Sequence, residues 1–415
     1  MRKAIKLRAL LASAFAPALL TIAGLACAAD EVFSPTAAIT IPGNNLVSFD
    51  IGYVDAKLRL YFLADRSNKS VDVIDTTTNT VVTQLQGGFS GATGNSDTSG
   101  PNGVLTLRRG GGDNDDNDND GNRNDTISRT EIWAGDGNST VKVIDLGTGQ
   151  LTHTIATGGT DRADELCYDP RDRLILMAND ADTPPFITFI SATTYTVVGR
   201  ITMDGLPGHG PNATNGIEQC QWDHRTGKFY LNLPEVNGPG NDSVSGAVLK
   251  IDPKTMKIEQ VFTIPVAKCA GPQGMAIGPE PQILLGCHAT ASAIIDERNG
   301  AVIASFNNEA GSDEVWFNPG DNHYFLGLTG ATPPVLGVID AGQKQQGPRT
   351  DQSVPTGAGA HSVAADARKN QVYVPIRSGS ATICGAHGGN DVKGCVAVMT
   401  TPHDDDGKFA HNDRR

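Results

Sequence analysis

The chain has 415 residues, 19% of them charged, and a formal net charge of −13 at pH 7. An acidic chain with no Lys/Arg cluster is a poor match for nucleic acid or an anionic membrane surface, so neither is expected as a partner. Its abundance of Gly, Thr, Val, Asn and Asp favours strands and turns over helices.

Residues 1–28 open with Arg2, Lys3, Lys6 and Arg8, continue through an Ala-rich apolar stretch, and end in Ala26-Cys27-Ala28. A basic start, an apolar middle and a small-x-small cleavage pattern describe a secretory signal peptide. Cys27 as a lipid-bearing cysteine is the alternative, and Gly24 stands where that signal wants an aliphatic residue. No later stretch is apolar over a bilayer-spanning length. The expectation is an exported protein, periplasmic or secreted, with no membrane insertion once the signal is removed.

From residue 48 onward one pattern recurs. Short polar residues lead into an apolar strand, a Pro/Asp/Gly turn follows, and a second apolar strand runs back. In chain order the copies begin "SFDIGYVD", "PNGVLTLR", "ADELCYDP", "IEQCQWDH", "PQGMAIGP", "SDEVWFNP" and "AHSVAADA". A third strand follows each copy ("SVDVID", "TVKVID", "FITFIS", "AVLKID", "SAIID", "VLGVID", "CVAVMT"), and a fourth follows the first six. Four-stranded repeats at this spacing are the signature of propeller blades. The predicted fold is all-β, a seven-bladed β-propeller over residues 29–402. The last copy lacks a fourth strand, and "TAAITIPGNN" near the N-terminus reads like one, so it is expected to close the ring. Residues 403–415 read as a mobile tail.

The third strands, "VDVIDTTTNTVV" and "VKVIDLGTGQL", resemble those of the YVTN-type exported β-propellers, a group similar to the seven-bladed lactonases. The resemblance implies the same architecture. Its lactonase side implies a metal at the channel mouth that polarises a carbonyl or activates water.

Six cysteines remain after Cys27. Blade positions pair Cys167 with Cys220 on innermost strands of adjacent blades, Cys269 with Cys287 at one end of blade five, and Cys384 with Cys395 around a loop of blade seven. An even set in an exported chain reads as disulfides.

In a propeller the first strand of each blade lines the central channel, and its start lies at the same face as the end of the second strand. Reading those positions around the ring gives Phe49, Asp50, Asn102, Asp164, Glu165, Glu218, Gln219, Gln273, Asp313, Glu314, His361 and Ser362, with Asp65, Asp136, Asp180, Glu235, His288 and Arg377 at the second-strand ends. A carboxylate-rich set with two histidines is thus aimed at one funnel. Crowded carboxylates need a cation, an arginine or retained protons. Glu165, Glu218, Glu314 and His361 are the expected ligands of a divalent metal, calcium or a transition metal. Glu218, Glu314 and His361 are the candidate catalytic groups, and Asn102, Asp164, Gln273, Arg377 and His288 the candidate ligand-binding ones.

A separate insertion at 111–125 in blade two carries Asp116, Asp118, Asp120 and Gly121, the start of a calcium loop, but Ile127 stands where the closing Glu belongs. A disordered acidic insertion is the alternative. The loop "GLPGHGPNATNG" with His209 could overhang the funnel. No organic-cofactor motif is present. The functions in play are therefore a propeller that binds a small molecule, metal or periplasmic protein at its mouth, a metal-dependent hydrolase or lactonase using the same funnel, and a scaffold subunit of a periplasmic redox complex.

Overall fold

The computed structural model describes residues 32–109, 129–343, 346–379 and 382–401. The signal segment, the acidic insertion with Asp116, Asp118 and Asp120, and the C-terminal tail lie outside the described residues.

Seven four-stranded antiparallel sheets follow one another along the chain. Blade one comprises Gly52–Asp55, Leu60–Asp65, Ser70–Asp75 and Thr80–Leu85; blade two Val104–Arg109, Arg129–Asp136, Thr140–Asp145 and Leu151–Ala156; blade three Leu166–Asp169, Leu174–Asn179, Phe186–Ser191 and Thr196–Thr202. Blade four comprises Cys220–Asp223, Lys228–Leu233, Gly246–Asp252 and Lys257–Ile264; blade five Ala270–Ile277, Gln282–Ala289, Ser292–Asp296 and Val302–Phe306; blade six Ser312–Asn318, His323–Leu328, Val335–Asp340 and Arg349–Pro355. Blade seven takes Ala364–Asp366, Gln371–Ile376 and Cys395–Thr400 from the end of the chain and Ser34–Ile39 from its beginning. That last strand pairs antiparallel with Cys395–Thr400, Ile39 opposite Val396. The chain ends therefore close the ring, as the sequence led us to expect.

The first strand of each blade touches the first strand of the next, and the seventh touches the first. Apolar side chains fill the spaces between blades, one cluster at each interface. Blades three and four, for example, enclose Leu176, Phe189, Phe229 and Leu249, and blades seven and one enclose Tyr61, Tyr373 and Val398. The alternation in "SVDVID" explains this: one sheet face serves one neighbour and the other face serves the other, so both faces are buried and the fourth strands are the most exposed to solvent.

All three expected disulfides are present, Cys167–Cys220, Cys269–Cys287 and Cys384–Cys395. The first ties blade three to blade four. The turns are built by aspartates: Asp75 Oδ1 accepts from the backbone N–H groups of Thr77 and Thr78, and Asn79 follows in the left-handed region at φ +53°, a conformation Asn tolerates better than branched residues.

Candidate functional site

One backbone device places the residues at the channel mouth. In blade one the N–H of Asp50 donates to Ala64 O, and Ala64 N–H returns to Ile51 O. The same pair recurs as Asn102 with Gly135, Asp164 with Ala178, and Glu218 with Asn232. Asp50, Asn102, Asp164 and Glu218 are therefore structurally equivalent, each held two residues before its inner strand begins. Blade six contributes Asp313 and Glu314, with the Glu314 N–H donating to His361 O of blade seven at 3.0 Å.

Two arginines that the strand-end reading passed over organise this ring. Arg66 Nη2 lies 2.6 Å from Asp50 Oδ2, and its Nε and Nη2 donate to Asn102 Oδ1 at 3.1 and 2.6 Å. Asn102 Nδ2 in turn donates to Ala163 O at 3.0 Å. Arg162 lies 2.9 Å from Asp164 Oδ2 and 2.5 Å from Asp180 Oδ2. Arg66 immediately follows Asp65 and Arg162 stands two residues before Asp164, so widening each strand-end window by two residues would have found both.

Arg162 also acts on Glu218 and Asp313, but from beyond the distance of an ion pair. Glu165 and Glu314, both buried, hydrogen-bond to each other. Such a pair holds a proton between its carboxyls. Burial, reinforced by Glu314, pushes Glu165 well above the usual carboxylate range. Glu218 is pushed the same way by burial and then by the charges of Asp180, Asp313 and Asp164. Burial, with Asp50 and Asp164 adding to it, raises Asp313 to about 7. Asp180 is raised to about 6 by burial despite the opposing pull of Arg162. The mouth thus carries Asp50, Asp164, Glu165, Asp180, Glu218, Asp313 and Glu314 against Arg66 and Arg162, and retained protons make up the difference.

His361 sits at the edge of this set. Its Nε2 is 3.9 Å from Asp50 Oδ1 and its ring packs 5.0 Å from that of Phe49. Burial first, then Arg377 and Arg66, depress its pKa to about 3, so the imidazole is neutral at physiological pH. The Arg377 guanidinium lies 5.9 Å from the Phe49 ring centre.

Other predicted residues serve the framework. Asp65 accepts from Asn68 and Asp136 from the backbone N–H groups of Ser90 and Gly137. Gln219 accepts from Met275 N–H, Ser362 Oγ from Gly52 N–H, and the Gln273 carbonyl from Asn232 Nδ2. Glu235 gathers Thr214 Oγ1 and the N–H groups of Gly240, Asn241 and Ser243. His288 leaves the acidic ring to pair with Asp242. Among the described residues no group of three His, Cys, Asp or Glu side chains is gathered as a metal ion requires. The donor set does not fit the divalent metal expected at Glu165, Glu218, Glu314 and His361.

No family model and no curated protein matches the chain. Solved structures do. A chain titled Kuenenia stuttgartiensis hydrazine synthase superposes with a TM-score of 0.59 at 15% identity, over 87% of this chain and 99% of that one. A chain from the crystal structure of a mitotic checkpoint complex superposes with a TM-score of 0.57 at 12% identity, over 96% of this chain and 99% of that one. At such identities the likeness is one of fold: this chain is a seven-bladed β-propeller, a fold that by itself assigns no function.

Proposed function

We propose that the protein is an exported, YVTN-like propeller that binds a small, positively charged ligand at its channel mouth. One observation carries the reading. After Arg66 and Arg162 have engaged Asp50, Asp164 and Asp180, Glu165 is left acting on Glu314 and Glu218 on Asp313, with no ion pair to a cationic side chain among the described residues. A ligand cation would replace the protons that now keep the peace among them. The three disulfides fit an oxidising compartment and so support export.

Calorimetric titration of the purified protein with an aliphatic diamine, a guanidinium compound and a dicarboxylate tests this. Cations should bind, the dicarboxylate should not, and Glu165→Gln with Glu314→Gln should abolish the signal. Binding of the dicarboxylate alone would overturn the proposal.

Hydrolysis of an ester or lactone is the second reading. Asp313, raised to about 7, can give and take a proton near neutrality, as general acid–base catalysis requires. Here Glu218→Gln should abolish turnover of a lactone and aryl-ester panel while leaving the melting temperature in place. Wild-type rates in that variant would clear Glu218 of a catalytic role.

A further inference from the structure

Outside the acidic ring, one side-chain pair has the geometry of a working base. His288 lies near the end of the second strand of blade five, and Asp242 lies in the loop joining the second and third strands of blade four. His288 Nδ1 stands 3.0 Å from Asp242 Oδ2, with the imidazole 63% exposed and the carboxylate only 7%. A carboxylate only accepts, so Nδ1 carries the proton and Nε2 presents its lone pair to solvent.

The carboxylate is fixed from several sides. Asn215 Nδ2 donates to its other oxygen at 2.8 Å. Its backbone sits at φ +58°, and its side chain packs on Gly271 so closely that a Cβ there would stand 2.6 Å from the carboxylate. The loop that carries it is gathered on the buried Glu235 carboxylate. Among the described residues the other aspartate-paired histidines are less well held or largely buried. His323 stands 3.5 Å from Asp321 and is only 10% exposed, and His361 stands 3.9 Å from Asp50 and is 13% exposed. His209 meets Asp204 at 2.8 Å, but that aspartate is 23% exposed, and His224 stands 4.0 Å from Asp223.

The strand that carries His288 runs beside the first strand of blade six. Gly311 N–H donates to Cys287 O at 3.0 Å, and Gly286 faces the Asp313 carbonyl, where a Cβ would stand 3.1 Å away. His288, though turned away from the acidic ring towards Asp242, is thus carried by the strand next to the one that delivers Asp313.

We propose that Asp242 and His288 form a proton-accepting dyad that activates water against the carbonyl of an ester or lactone seated in the mouth. The inference rests on the hydrolytic reading above. Nε2 takes a proton from water as the water oxygen bonds to the carbonyl carbon. The alkoxy C–O bond then breaks, and the proton passes from Nε2 to the departing oxygen. Asp242 is a positioning residue: it sets the tautomer and steadies the imidazolium while it exists.

Three measurements on the full protein decide the matter. Nitrogen-15 NMR of the imidazoles should show His288 protonated at Nδ1, reverting towards the Nε2–H tautomer in Asp242→Ala. Diethyl pyrocarbonate labelling, mapped by mass spectrometry, should modify His288 roughly tenfold faster in the wild type than in Asp242→Ala, by analogy with the loss seen when a metal-bound histidine is deprived of its carboxylate partner, with His224 unchanged as an internal control. His288→Gln should lose hydrolysis of the lactone and ester panel at an unchanged melting temperature. Equal labelling rates, or hydrolysis retained in His288→Gln but lost in Glu218→Gln, would overturn the dyad and leave the hydrolytic reading standing. A wild type that hydrolyses nothing in the panel would overturn both.

Discussion

Glu309 lies between the last strand of blade five and the first of blade six, fully buried, and neither carboxyl oxygen has a hydrogen-bond partner among the described residues. It fits only because blade six places Gly337 opposite, where any Cβ would collide with the carboxyl. Burial alone raises its pKa to about 7. Between the ordinary glutamate value and that raised one, the folded chain holds a proton that the unfolded chain has lost. Stability is therefore full below the ordinary value and falls as pH rises through the window, by on the order of 3 kcal/mol. Glu309→Gln should flatten this part of the curve, measured as melting temperature from pH 5 to 8; an unchanged slope would refute it. Arg162→Ala should act in the opposite sense, costing about 3 kcal/mol at neutral pH by leaving Asp164 and Asp180 without their cation, read from urea unfolding. Residues of this kind separate what the sequence shows from what it hides. Asp164 and Glu218 were legible because the repeat fixes their position before the strand. Glu309 was not, since its burial depends on a glycine 28 positions away. Arg66 and Arg162 lie just outside the repeated window, so the partners of the acids were hidden although the acids were plain.

At the scale of strands, the two-residue alternation and the Asp-rich turns were enough to place every blade, because each strand's pattern is local. The closing strand was legible by subtraction, from a last repeat with one strand too few. It buries Phe33, Ile39 and, just beyond it, Ile41, and Gln352 grips the Phe33 backbone from blade six through its side-chain oxygen and nitrogen, both at 2.8 Å. Removing residues 32–44 should cost about 5 kcal/mol from the lost apolar burial alone and lower the melting temperature sharply; an unchanged melt would mean that the ring does not depend on this strand. The disulfides act on the same scale with different reach. Cys167–Cys220 spans 53 residues and Cys384–Cys395 only 11. Loop-closure entropy predicts about 4 kcal/mol for the first and about 3 for the last. Paired Cys→Ala variants, compared by denaturant unfolding, should follow that order.

The whole ring makes the mouth a proton reservoir, a property no blade has alone. Blades one, three, four and six each supply acids, and the carboxyls of Glu165, Asp180, Glu218, Asp313 and Glu314 are all raised above their ordinary range. Folding gathers protons here, so stability should fall as pH climbs from about 4 to about 7, in the same direction as the Glu309 effect. A cation entering the mouth must expel those protons, which couples its affinity to pH: for each proton released, binding should tighten about tenfold per pH unit across that range. Titration of a diamine at pH 5.5, 6.5 and 7.5, in two buffers of different ionisation enthalpy, counts the protons directly. Glu309→Gln separates the two sources, because that carboxyl is buried beside Gly337 and is not one of the mouth acids. The variant should change the stability curve and leave the proton count on binding untouched. Affinity that ignores pH, with no buffer-dependent heat, would mean that the ligand does not meet these carboxyls, however well the propeller presents them.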